Sequence, residues 1–133
     1  MENVDLARLV EEQGGPMYRR LEIYEDAERF ADAVWEMVFT WNSFARETMG
    51  KQLVRSAASI PNNLSEGSGR GSTPEMLRFS RIARGSLCET QNGVQPAGKR
   101  NLINPDHAAK LHASAERLLK RTNAFISHLK SRT

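Results

Sequence analysis

The chain holds one thiol, three imidazoles and a glycine-rich stretch, and these are its groups with the most obvious chemical capacity. Cys88 has Arg84 one helical turn before it, a cation placed to favour the thiolate. Its other near neighbours, Gly85, Leu87 and Asn92, bring no base, so no nucleophile–base pair forms. His107, His112 and His128 lack ligand-like spacing to one another and are expected as surface side chains. His112 and Glu116 lie one turn apart, but two ligands do not make a metal site, and the Glu-x-x-His pairs of di-iron bundles do not occur. The run Gly67-Ser68-Gly69-Arg70-Gly71-Ser72-Thr73 leads into a helix start, where free backbone donors attract anions. It follows a helix rather than a strand and lacks a Gly-Lys-Ser/Thr ending, which argues against a nucleotide loop. A nucleic-acid phosphate held with the help of Arg70, or a plain inter-helix turn, are the readings left. No catalytic, metal or cofactor constellation emerges, and the chain reads as a non-enzyme.

Phosphate neutralisation is a chemistry the chain can supply in quantity. Residues 1–50 carry eleven acids and five bases, a net of −6, whereas residues 51–133 carry five acids and fourteen bases, a net of +9. A one-signed surface of that kind attracts polyanions; the alternative is that the acidic first helix pairs with the basic ones, inside the bundle or across subunits. At 100° per residue, Arg78, Arg81 and Arg84 fan across the side of the third helix opposite its apolar stripe, and Leu77, Gly85 and Cys88 share that side. Lys110, Arg117, Arg121 and His128 form a stripe on the fourth helix. Gln52, Arg55, Ser59, Asn63 and Glu66 align along one side of the second. The candidate phosphate-binding residues are therefore Lys51, Arg55, Arg70, Arg78, Arg81, Arg84, Arg117 and Arg121. The candidate subunit-contact residues are Leu77, Gly85 and Cys88, because small and apolar groups among arginines on an outer face mark a partner surface, and Ser59, Asn63 and Glu66, because a polar row, if buried, sets register between subunits, whereas a solvated row sets nothing.

The elements that must position these groups are helical throughout. Ile23, Ala27, Phe30, Val34, Met37 and Trp41 step by three and four, as do Leu53, Ala57, Ile60 and Leu64. Met76, Phe79, Ala83, Leu87, Thr90, Val94 and Ala97 continue the pattern, and Leu111, Ala115, Leu118, Thr122, Phe125 and Leu129 complete it. Gly67 reads as the left-handed residue past the second helix, Thr73 as the cap of the third with Pro74 at its first position, and Asn104-Pro105-Asp106 as the start of the fourth. These signals predict an all-α, antiparallel up-down four-helix bundle over residues 17–133, after an N-terminal extension of residues 1–16 with a short helix over 3–12. A length of 133 residues suits one domain. With a single cysteine, no apolar run near 18 residues and no leader-like N-terminus, the expected setting is the cytoplasm, without a membrane partner.

Two residues contradict their helical surroundings. Pro61 removes a backbone donor and crowds the Ala57 carbonyl, a defect of about 3 kcal/mol that frees that carbonyl and bends the helix. Gly85 costs about 1 kcal/mol relative to Ala and leaves room for another backbone.

Both residues sit in motifs that resemble a known family. Gln52-Leu53, then Ala57-Ala58-Ser59-Ile60-Pro61-Asn62-Asn63-Leu64-Ser65-Glu66-Gly67, then Ile82-Ala83-Arg84-Gly85-Ser86-Leu87-Cys88-Glu89 is similar to the pattern of the bacterial four-helix-bundle proteins encoded in intervening sequences of 23S ribosomal RNA genes. Tyr18-Arg19-Arg20-Leu21-Glu22-Ile23 resembles the family's opening, and the likeness spans roughly residues 17–130. The resemblance implies a closed homopentameric ring. Accessory variability proteins of diversity-generating retroelements are relatives, which adds nucleic acid and a reverse transcriptase as implied partners. The chain departs from the pattern at Thr90, Gln91, Asn92 and Gly93, which predicts a weaker third helix there and an altered subunit contact. Asn42-Ser43-Phe44 replaces the usual proline between the first two helices.

Two functions follow as expectations. One is a homo-oligomeric bundle whose basic face binds RNA or DNA; the other is a protein-interaction or scaffolding ring in which acidic first helices neutralise basic third or fourth helices of neighbours.

Overall fold

The computed structural model describes residues 15–133. Helix α1 runs Gly15–Phe39. Helix α2 is one continuous run of three segments, Ser43–Ala45, a π-helical Arg46–Gly50 and Lys51–Gly69. Helices α3, Thr73–Lys99, and α4, Pro105–Lys130, complete an all-α four-helix bundle. Each helix packs on its chain neighbours and α1 also packs on α4, which closes a square with α1 and α3 on one diagonal. Across α3 and α4, Arg84 meets Asn123 and Gln91 meets Glu116, so residue numbers rise on one helix as they fall on the other. The neighbours are antiparallel, as short connections require.

The four apolar stripes meet in one core. All of their expected members are buried except Val94, which is half-buried. Trp41 lies just beyond the end of α1 and still points inward. The caps follow the chemistry of short polar side chains at helix starts. Asn42 Oδ1 accepts the Ala45 N–H at 3.0 Å, so asparagine replaces proline as the device that starts α2. Asn104 Oδ1 accepts the His107 N–H at 2.8 Å. The cap of α3 is Ser72 rather than the expected Thr73: its Oγ accepts the Glu75 N–H at 3.3 Å, in a Ser-x-x-Glu arrangement.

Gly67 is likewise not the residue past the helix. It lies inside α2, buried, where an added Cβ would stand 2.9 Å from Cβ of Phe79. The left-handed turn residue is Gly71, at φ +80°. Gly67 is thus a packing glycine, and α2 runs two residues further. Pro61 is accommodated within α2, whose helical run continues on both sides of it. The third helix also runs unbroken through Thr90-Gln91-Asn92-Gly93 to Lys99. Small residues there let α3 approach α2: Gly93 faces Leu53, and Thr90 Oγ1 and Ser56 Oγ share a buried hydrogen bond of 2.7 Å. The expected N-terminal extension and its short helix fall on residues 1–14, outside the described ones, while Gly15 and Pro16 are already helical.

Candidate nucleic-acid interface

Of the eight candidate bases, seven are exposed and Arg84 is half-buried. They are not equivalent. Arg70 pairs with Glu66 at 2.9 Å and Arg78 with Glu75 at 3.1 Å. Both guanidinium groups also lie over the Phe79 ring, at 5.3 and 4.5 Å from its centroid, a geometry with its own cation–π attraction. This corner, where α2 hands over to α3, is held by charges already satisfied. Arg121 of α4 binds Asp26 of α1, which in turn binds Arg29. Arg84 Nη1 donates to Asn123 Oδ1 at 3.0 Å, drawing its side chain toward α4 rather than outward. Lys51, Arg55, Arg81 and Arg117 make no ion pair among the described residues.

The expected subunit-contact residues divide similarly. Leu77 does not lie on an outer face. It is 8 % exposed and belongs to the core, because it sits on the flank of α3 that packs toward α4. Ser59 Oγ bonds Ser86 Oγ at 2.8 Å across the α2–α3 seam, and Asn63 Nδ2 donates to the Ser59 carbonyl at 2.8 Å. These polar groups serve contacts within the chain. Glu66 is exposed and holds Arg70. Cys88 and Gly85 are exposed, and no atom lies within 4 Å of where a Gly85 Cβ would be.

Among the histidines, His107 and His112 are exposed, but His128 is half-buried. Its Nε2 is enclosed and has no hydrogen-bond partner among the described residues. The Nε of Arg20 is enclosed in the same way. Burial, together with nearby Arg132, holds the Arg20 guanidinium below its usual range. Tyr24 is pushed up by burial and by the Glu28 carboxylate that accepts its hydroxyl proton. No group of three or more His, Cys, Asp or Glu side chains placed to hold a metal ion occurs among the described residues. None of the described helices is long and apolar enough to cross a membrane.

Sequence reasoning missed a set of exposed aromatics. Trp35 is 59 % exposed, Phe39 67 % and Phe44 79 %. Trp35 and Phe39 lie one turn apart on α1, outside its core stripe, and that off-stripe spacing was the available signal. On the opposite face of the bundle, Phe30, Val94, Leu111 and Ala115 floor a cavity of about 520 Å³ between α3 and α4. Gln91, Gln95 and His112 are among its polar lining.

The sequence profile of the family described as 23S rRNA-intervening sequence protein matches residues 19–124. Among solved structures, the chain is similar to a protein of unknown function from the S23 ribosomal protein family of Bacteroides thetaiotaomicron. The two share 18 % identity at a TM-score of 0.73, over 82 % of this chain and 98 % of that one. No curated protein matches the chain.

Proposed function

The chain belongs to the 23S rRNA-intervening sequence protein family, and from that premise we propose a non-enzymatic, homo-oligomeric helical bundle that binds nucleic acid through a basic surface. Five subunits follow from the family resemblance. The observation that carries the reading is the set Lys51, Arg55, Arg81 and Arg117, exposed cations with no acidic partner among the described residues. Cations without a carboxylate partner gain most from a phosphate, because binding releases counterions and no internal pair is lost. Arg70, Arg78 and Arg121 already face carboxylates and contribute less. Contacts of this kind hold the phosphate backbone and carry no sequence information.

The test is fluorescence anisotropy of a labelled single-stranded RNA over a salt series. Log K falls steeply with log salt, and the variant with Gln at Lys51, Arg55, Arg81 and Arg117 has a slope shallower by about 0.7 per lost phosphate contact. Salt-insensitive binding, or no binding of RNA or DNA at low salt, overturns the reading. A second reading, a scaffolding ring without nucleic acid, draws its support from the exposed Trp35, Phe39 and Phe44, since large apolar groups gather on soluble surfaces where partners dock.

A further inference from the structure

We infer that the Trp35 side chain of one copy of this chain inserts into the α3–α4 cavity of the next copy. The inference rests on the homo-oligomeric reading above and names the surfaces that would join.

Its first support is position around the bundle. Trp35 lies on the flank of α1 nearer α2, since Asp26, on the other flank, reaches α4. The cavity opens between α3 and α4. In a square bundle those are opposite faces, and a head-to-tail ring joins two different faces of one subunit.

The second support is height along the bundle axis. Arg84–Asn123 and Gln91–Glu116 set the α3–α4 register, which puts Arg121 level with Ser86. Arg121 binds Asp26, so Asp26 and Ser86 share a height. Helices α1 and α3 run the same way in an up-down bundle. Trp35 lies nine residues beyond Asp26, about 13 Å at 1.5 Å per residue, and this brings it level with Gln95 in the cavity lining. Rotation about a ring axis keeps every copy at one height. A protruding group and its receptor must then match in height, and these two do.

Chemistry agrees with shape. A cavity of about 520 Å³ falls within the size of ordinary binding pockets, roughly 300–1,000 Å³. Its floor is apolar, and the side-chain oxygens of Gln91, Asn92 and Gln95 can accept from an indole N–H, which only donates. Glu28, exposed on the same side of α1 two turns before Trp35, falls level with Cys88 by the same register.

The experiment uses the full chain, size-exclusion chromatography with light scattering, and three variants. Trp35→Ala removes the inserting group, which is 59 % exposed in its own chain. Gly98→Leu fills the cavity, and no atom within 4 Å obstructs the first carbon of the new side chain. Each is expected to reduce the particle to the 15.0 kDa of one chain while the thermal unfolding midpoint of the separated subunit stays within a few degrees of that measured for dilute wild type. Glu28→Cys is expected to form disulfide-linked ladders with Cys88 of neighbouring copies on oxidation, and to lose them when Cys88→Ser is added. An oligomer that persists in both Trp35→Ala and Gly98→Leu, with no ladder from Glu28→Cys, overturns this inference and leaves the homo-oligomeric reading standing. A wild-type chain that stays at 15.0 kDa at every concentration overturns both.

Discussion

Ser80 has a fully buried hydroxyl with no hydrogen-bond partner among the described residues. A buried polar group without a partner costs about 1–3 kcal/mol, so Ser80→Ala is expected to raise stability by about 1 kcal/mol in urea unfolding. A loss of stability would mean the hydroxyl is bonded after all. Thr90 and Ser56 show the other outcome, a buried pair whose hydroxyls satisfy each other at 2.7 Å. Sequence reading could not separate these cases, because a small polar residue on a helix flank looks the same bonded, orphaned or offered to another chain. Ser59 and Asn63, expected at a subunit contact, both bond within the chain. Leu77 fell to a different cause: a stripe drawn at 100° per residue has soft edges, and the α3–α4 seam covers one of them.

The helices themselves were legible almost to their ends, since four stripes at steps of three and four can be buried together in few ways. Their interruptions were less so. The π segment Arg46–Gly50 left no trace in the apolar period, although it lies where an added Cβ on Gly50 would come within 2.6 Å of Val38. The glycines also looked alike in sequence and differ in space. Gly67→Ala would press a methyl group against Phe79 and Met76 and is expected to destabilise by about 1–3 kcal/mol. Gly85→Ala meets open space in the isolated subunit and is expected to stabilise it by about 0.5–1 kcal/mol. Opposite signs in thermal unfolding check the pair, and equal losses would place an unseen neighbour at Gly85.

The molecule as a whole is a bundle in which α1 carries six acids and three bases, while the other three helices together carry six acids and twelve bases. Among the described residues one ion pair, Arg121 to Asp26, ties α1 to the basic helices, while Glu25, Asp32 and Glu36 are exposed and have no ion pair there. Composition revealed this division, but not which cations the chain itself employs. The distinction needed the positions of Glu66 and Glu75, which turn Arg70 and Arg78 into braces for Phe79. The unpaired cations, the exposed Trp35 and the cavity on the far face are the features on which the proposed function rests, an assembled basic bundle that holds a polyanion. Light scattering of the full chain with and without single-stranded RNA, at low and at high salt, tests that account most directly. It predicts a particle of several 15.0 kDa chains that gains the mass of RNA at low salt and releases it at high salt. A particle of one chain, unchanged by RNA at either salt, would contradict it.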